Sequence, residues 1–571
     1  MSTSVSSEDS FTRSAGKQLL TFAVSSIGAV VILMYALSWA SSLTGATATA
    51  SVAVDPQTKT VTLFLSQEPP QLNSSLATDQ VSGMILGHVM EGLLRYDKDN
   101  RLAPGMAERW EMTAAGATFW LRHDAHWSDG VPVTAHDFVF SWRLAVDPAN
   151  ASEYAFIVYP VKNGQAINEG GKPLSELGVR ALDDHTLEVV FERPVAYFDK
   201  LVAFPTYGPI RQDFYESTGG RYGSDSDTLI YNGPFVLARW VHGAHVRMEK
   251  NALYWNAERI KINVLDFPYI TSDANATINL FKDNKVAYTG LLAENLDNAM
   301  EQRWHIKRFM DGSVFFIEFN HREGRLTRNK NLRKAMQYAV DPAELVYKVT
   351  KLPGYLPGES LFPVWLRGVN DYFRQEYPAP KSTLDVARAR AYLEKAKQEL
   401  GVTEIPPMVV LTGDNPLSNT QSEYFQQVFK KHLGLEIKID KQIFKQRLAK
   451  MTSGDFDLVM AGWGPDYDDP LTFGDLFASW NLNNRGRYSN AELDRQVSIA
   501  QEALEPRTRM QAFAAIQEIL HEDAVILINY ERGTTYVTNP ALGGIVRRVV
   551  GPDPDFTNAF VVDGPASGVD G

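Results

Sequence analysis

The sequence predicts an α/β fold of interleaved segments behind a membrane-directed amino terminus, on three observations. Strand-type and helix-type periodicities alternate along the chain with no internal repeat. The 571 residues exceed a single hydrophobic core, which stops growing near ~250–300 residues, so two or three domains are expected. Residues 18–54 carry no charged side chain, which marks the amino terminus as a separate segment.

Arg13 and Lys17 precede the apolar heart Leu19–Trp39, and no Lys or Arg follows until Lys59. At ~1.5 Å per residue this heart reaches about 31 Å, enough to cross a bilayer core. The basic residues stay on the cytoplasmic side, so the rest of the chain is exported. Two readings fit: an uncleaved transmembrane anchor, or a signal peptide cut at Ala46-Thr47-Ala48 or Ala48-Thr49-Ala50. A buried helix of the folded body is a third. Fold reasoning begins near Ser51 in every case.

Lys59–Leu65 (KTVTLFL) mixes β-branched and aromatic residues in partial alternation and reads as the opening strand. Asp79–Leu94 brings Val81, Ile85, Leu86 and Val89 near one helical face. Strands are predicted over Thr118–Arg122, Thr186–Phe191, Phe235–Trp240 and His245–Lys250. Helices return after Asn329. Ser382–Leu400 is the clearest: Ser382 and Asp385 form a capping-box-like start, Leu384, Ala387, Ala391 and Leu393 follow, and Gly401 stops it. Asn490 and Pro506 open two more helices, ending near Gln501 and Leu520, and Val525–Asn529 reads as a late strand. The Gly/Pro/Asp-rich stretch after Gly551 reads as a loose tail.

Composition narrows the function. Lys and Arg number 56 against 68 Asp and Glu, a net charge of −12. Phosphate-backbone binding needs a basic stripe, so no nucleic-acid partner is expected. The absence of cysteine removes disulfides, Fe–S clusters, zinc-thiolate sites, a thiol nucleophile and a lipid on an N-terminal Cys. There is no G-x-S-x-G, H-E-x-x-H, G-x-x-x-x-G-K-[ST] or G-x-G-x-x-G motif. Gly164–Lys172 fails the phosphate-loop spacing, and His521-Glu522-Asp523 lacks a second His. No cofactor, metal or catalytic residue is therefore expected, although triads need no local motif.

One run holds chemistry worth weighing. Asp466-Tyr467-Asp468-Asp469 follows Trp463-Gly464-Pro465. It reads as a solvated acidic turn, as a calcium loop lacking the EF-hand spacing and closing Glu, or as a carboxylate held beside an indole to face a bound cation such as an ammonium group. Local sequence leaves all three open.

A longer pattern bears on the choice. Leu102–Ser141 contains LAPGMAERWE and then TFWLRHDAHWSDGVPVTAHDFVFS. It resembles the defining segment of the family 5 extracellular solute-binding proteins of ABC importers, with its L-x-P-x-x-A-x-x-W-E, F-x-L-R, W-S-D-G-x-P and A-x-D runs. The resemblance continues through Gly171–Phe198, Tyr231–Tyr254, Asn331–Asp341 and Phe456–Phe473, and covers nearly everything from about Lys59 to Tyr536. Ala461-Gly462-Trp463, with Asp466-Tyr467 and Pro470, is most similar to the oligopeptide-binding members and less so to nickel, haem or dipeptide binders.

The resemblance implies a periplasmic-binding-protein type II-like, two-lobed clamp with an extra middle domain, behind an N-terminal signal or anchor over residues 1–50. Lobe I would combine residues 51–92, 205–312 and 530–571; the middle domain would be 93–204 and lobe II 313–529, with hinge crossings near Ser313–Asn320 and Leu527–Thr534. It implies a monomeric receptor, not an enzyme, in the periplasm or on the outer face of the membrane. The receptor would capture oligopeptides in extended form and deliver them to ABC permease and ATPase subunits. A membrane-tethered sensor or scaffold, an exported hydrolase, and a binder of non-peptide cations or metal chelates are the competing readings.

Carried over position by position, the resemblance pairs Asp466 with the ligand's α-amino group, beside Trp463 and the backbone of Gly462. Tyr231, Asn232 and Gly233 would form an opposing strand along the peptide main chain, and Tyr154 an aromatic contact from the middle domain. Phe316 and Tyr530 fall on aromatic positions at the hinges, with core packing as the alternative for each. The chain departs from the family at Met451 and Met460, where enterobacterial members carry basic residues. It departs again near Asn419, where they carry a carboxylate-binding His. An acidic residue in the Thr78–Gln80 region and a cysteine pair are also missing.

Overall fold

In the computed structural model, residues 52–562 are described except 293, 294, 353 and 382. Leu19–Trp39 and Ser382 lie outside the described residues. No helix among the described residues is long and apolar enough to cross a membrane.

Thr60–Leu65 forms the predicted opening strand and buries Val61, Leu63 and Leu65. It pairs antiparallel with Val54–Asp55 and in parallel with Val264–Ile270. His245–Lys250 and Phe235–Val241 complete a five-stranded sheet. The parallel pairing joins chain segments two hundred residues apart, so the chain must leave this sheet and return. Between the visits, Ala107–Met112, Gly116–Leu121, Thr186–Val190 and Val179–Asp183 form a four-stranded antiparallel sheet, ordered first, second, last, third along the chain.

The largest sheet has seven strands. Its axis is a pair of 13-residue antiparallel strands, Lys307–Phe319 and Ile526–Thr538. Their register shifts between Met310 and Val314 and again between Phe315 and Phe316. Leu458–Trp463 pairs with the first of them, Met408–Gly413 pairs in parallel with Leu458–Trp463, and Ile437–Gln442 lies outside that. The late strand predicted over Val525–Asn529 is thus only the apolar head of a longer one. Its polar continuation, ERGTTYVT, is held by ladder partners rather than by its own pattern.

Asp79 caps the helix Gln80–Val89 by accepting from the Ser82 N–H at 2.9 Å. This helix stops five residues short of the predicted Leu94. The Asn232 side chain takes both backbone groups of Glu91, accepting from its N–H at 3.0 Å and donating to its carbonyl at 2.8 Å. The helix predicted over Ser382–Leu400 runs Val386–Leu400, capped by Asp385 and ended by Gly401 at φ 69°. Its buried face is Ala389, Leu393 and Ala396, whereas Leu384, Ala387 and Ala391 are exposed. Asn490 caps Ala491–Glu502, and Pro506 opens Pro506–Glu522, as predicted.

The tail reading fails up to residue 562. Asp555, Phe556 and Ala559 are buried, and Phe560–Val561 pairs with Leu542–Gly543. Arg548 donates to Asp555 at 2.6 and 3.0 Å, and both side chains are buried. The Phe556 N–H donates to His88 Nε2 at 2.9 Å, leaving His88 Nδ1 to donate to the Met84 carbonyl at 2.7 Å. Burial lowers the His88 pKa, which fits this neutral tautomer. Gly and Pro shape the turns here, while the charged residues between them are committed to partners.

Candidate functional site

The strand Leu458–Trp463 leads into the acidic run, and each member of that run has a different task. Asp469 accepts two hydrogen bonds from Arg509, at 2.7 and 2.9 Å, in a buried fork-to-fork pair. Tyr467 is buried and stacks on Tyr197 at 5.9 Å and 10°. Asp468 is exposed, and its carbonyl accepts from Lys200 Nζ at 2.6 Å. Asp466 alone lines the cleft. A solvated turn does not describe this segment, and among the described residues no acidic or imidazole cluster could hold a metal ion.

The Asp466 N–H donates to Thr472 Oγ1 at 2.9 Å, which fixes the backbone, and the Tyr154 hydroxyl donates to the carboxyl at 3.0 Å. Asp466 makes no ion pair among the described residues. Loss of water raises its pKa to about 8, and the Tyr154 hydrogen bond only partly opposes that. The Trp463 ring lies 6.4 Å from Tyr154, and its indole N–H is buried without an acceptor. An acid without a cation and a donor without an acceptor therefore line the same cleft.

The backbone beside them is equally open. Val314, Phe315 and Phe316 pair with Trp463, Gly462 and Ala461 along one edge of the strand. On its other edge, Met408–Gly413 pairs only at Leu458 and Val459 and then diverges. Among the described residues, that edge of Ala461–Trp463 has no ladder partner. The cleft holds about 440 Å³. Ala77–Val81, at the start of the helix Gln80–Val89, also lines it.

Residues 101–484 match the family described as bacterial extracellular solute-binding proteins, family 5 Middle. The chain belongs to this family. It is 29% identical over 519 residues to the oligopeptide-binding protein OppA of Bacillus subtilis (strain 168), covering 88% of this chain and 92% of that protein. The substrate-binding domain of an oligopeptide ABC transporter from Bacillus anthracis str. Ames has a similar structure, with a TM-score of 0.84 at 33% identity over 88% of this chain and 99% of that one. Listeria monocytogenes OppA bound to peptide gives a TM-score of 0.83 at 32% identity, with the same coverage. The fold is thus the two-lobed α/β fold of periplasmic-binding proteins.

This solute-binding protein gathers Asp466, Trp463, Gly462, Tyr154 and Phe316 around one cleft. Phe316 is nearly all buried, its ring edge-on to Phe477 at 5.8 Å. The other sequence-predicted residues lie elsewhere. The Tyr231 N–H donates to the Ser128 side-chain Oγ at 3.3 Å, and its carbonyl accepts from the Ser128 N–H at 2.7 Å. Gly233 donates to the Val89 carbonyl at 3.0 Å and accepts from Asn251 Nδ2 at 2.9 Å. With the Asn232 side chain bound to Glu91, this segment anchors the end of the first helix, and the backbone groups of Tyr231 and Gly233 are taken up within the protein. Tyr530 is a core residue, stacked on Phe315 at 4.9 Å and 17° and accepting from Gln421 Nε2 at 3.2 Å.

Sequence reasoning missed Phe315, Arg447, Arg485, Glu318 and Arg532, all on the cleft wall. Phe315 and Phe316 are adjacent in a strand, so alternation predicts opposite faces, yet both line the cleft, and the strand register shifts between them. Burial lifts the Glu318 carboxyl to about 7, and it accepts from the Gly486 N–H at 2.5 Å. Met451 reaches the cleft, whereas Met460 is buried with its sulfur accepting from the Thr412 hydroxyl at 3.3 Å.

Proposed function

We propose that this protein captures oligopeptides in extended form and delivers them to the permease and ATPase subunits of an ABC importer. The carrying observation is the unpaired backbone edge of Ala461–Trp463, ending at an Asp466 carboxyl without a cation. A peptide added to that edge receives main-chain hydrogen bonds whatever its side chains, and its α-ammonium completes Asp466. Trp463 Nε1 donates to the ligand, Gly462 leaves its backbone accessible, and Tyr154 and Phe316 wall the first residue. The named ligands of the relatives, oligopeptides in Bacillus subtilis and a bound peptide in Listeria, support the same reading. The cleft binds and does not convert.

In this reading lobe I takes residues 51–92, 205–312 and 530–571, the middle domain 93–204, and lobe II 313–529. Membership of the five-, four- and seven-stranded sheets supports most of this division, although both long hinge strands and Tyr288–Gly290 belong to one sheet. The body is exported, and Leu19–Trp39 holds it at the outer face of the membrane unless that segment is cut.

Calorimetry tests the site. Tri- and tetrapeptides with a free amino terminus should bind, and Asp466→Asn should lose about 2–5 kcal/mol of binding free energy. Equal affinity for free and N-acetylated peptides rules out the amine pairing.

A further inference from the structure

Four arginines line the cleft, and three of them are already paired. Arg485 reaches Glu153 at 2.7 Å, Arg532 holds Asp311, and Arg548 holds Asp555 at 2.6 Å. Arg447 differs. Its guanidinium makes no hydrogen bond and no ion pair among the described residues, and its Nε is buried without an acceptor. The aromatic ring of Phe444 lies 5.5 Å from it, which orients the group without neutralising it. Burial, reinforced by the positive charge of Arg485, lowers its pKa to about 10, so at neutral pH it remains a cation.

Its position is also specific. Arg447 sits on the helix Phe444–Ser453, one turn before Met451, and Phe444, Arg447, Leu448 and Met451 are the members of that helix lining the cleft. A side chain built at Gly413 would meet Arg447 Nη1 at 3.5 Å. Gly413 ends the strand that parts from Leu458–Trp463 after Val459. Arg447 therefore stands where the two strands separate, at the Met460 end of the unpaired edge. Asp466 stands beyond the Trp463 end. A ligand with its ammonium on Asp466 runs along the edge towards Arg447.

We propose that Arg447 is a carboxylate-binding residue of this cleft, taking either the C-terminal carboxylate of a bound peptide or an acidic side chain along it. The proposal rests on the peptide reading of the cleft. A guanidinium fork matches a carboxylate with two parallel hydrogen bonds, and leaving a buried cation unpaired is unfavourable. Arg447 thereby supplies a cation one helical turn before Met451, which sets where along the ligand the negative charge falls.

The test uses the full-length protein with tetra-alanine, its C-terminal amide, and Ala-Ala-Glu-Ala amide. At least one of the two carboxylate-bearing peptides should bind roughly tenfold or more tightly than tetra-alanine amide. Arg447→Met should erase that preference and leave the amide's affinity within about twofold. The peptide that shows the preference identifies the source of the carboxylate. Absence of any preference in the wild type, or a preference that survives in Arg447→Met, overturns the proposal. Arg447→Met should melt no lower than the wild type, because it removes an unpaired cation. A lower melting temperature overturns the proposal by showing a structural role. If the wild type binds none of the three peptides, the peptide reading itself fails, and succinate then decides. A rise in melting temperature with succinate that disappears in Arg447→Met sustains the anion site, and no rise ends it.

Discussion

Asp466 carries an ordinary side chain in an unusual setting. Its pKa moves from 3.8 to about 8 because desolvation outweighs one hydrogen bond from Tyr154. A folded-state value above the unfolded one means that the native protein holds more protons than the unfolded chain between those values. The contribution is fully present below pH about 4 and is lost as pH rises through about 8. Asp466→Asn should therefore flatten the fall in melting temperature of the unliganded protein over that window. Binding has the opposite sign. An ammonium ligand needs the ionised carboxylate, so peptide binding near pH 7 should release close to one proton and strengthen towards pH 8. Calorimetry in buffers of different ionisation enthalpy measures this; buffer-independent enthalpy would refute it. The same side chain in Asp469, three residues on, is already paired with Arg509 and has no such role.

At the scale of elements, local chemistry set many ends correctly. Asp79 and Asn490 cap the helices whose predicted ranges they open, and Asp385, expected as the second member of a capping box, is itself the cap, because a capping oxygen acts within one turn of chain. Errors arose where a distant group intervened: Asn232 ended the first helix, and ladder partners extended the strand Ile526–Thr538 through polar sequence. Gly462 is a sharper case. A Cβ there would lie 2.7 Å from the Phe315 ring, which is held by stacking on Tyr530. Gly462→Ala should cost about 1–3 kcal/mol in chemical denaturation, and Phe315→Leu should recover part of it in the double variant. Equal stability of Gly462→Ala and the wild type would show that the ring moves freely.

At the scale of the molecule, residues far apart in sequence hold the cleft walls together. Glu153 accepts from Arg485 at 2.7 Å and from Thr452 at 2.9 Å, while Gln80 bridges Ser313 and Arg532 at 3.3 and 3.0 Å. Arg485 is almost fully buried, so its pair with Glu153 is shielded from salt. Glu153→Gln should speed peptide dissociation roughly tenfold with little change in association, because it loosens the contact between the cleft walls without touching the ligand. Stopped-flow measurement of both rates checks this; an unchanged dissociation rate would remove Glu153 from closure.

The sequence by itself determined the family, the α/β class and the acidic run that reaches the cleft. Periodicity, caps and an extended run of family-like residues are written in consecutive positions. It could not separate Asp466 from Asp468 and Asp469 by chemistry, or show that the Asn232 side chain anchors the end of a helix. It also gave no sign that Arg447 lacks a partner. Those properties depend on which groups meet across hundreds of residues, and on how much water each one loses when they do. The tertiary structure decided them.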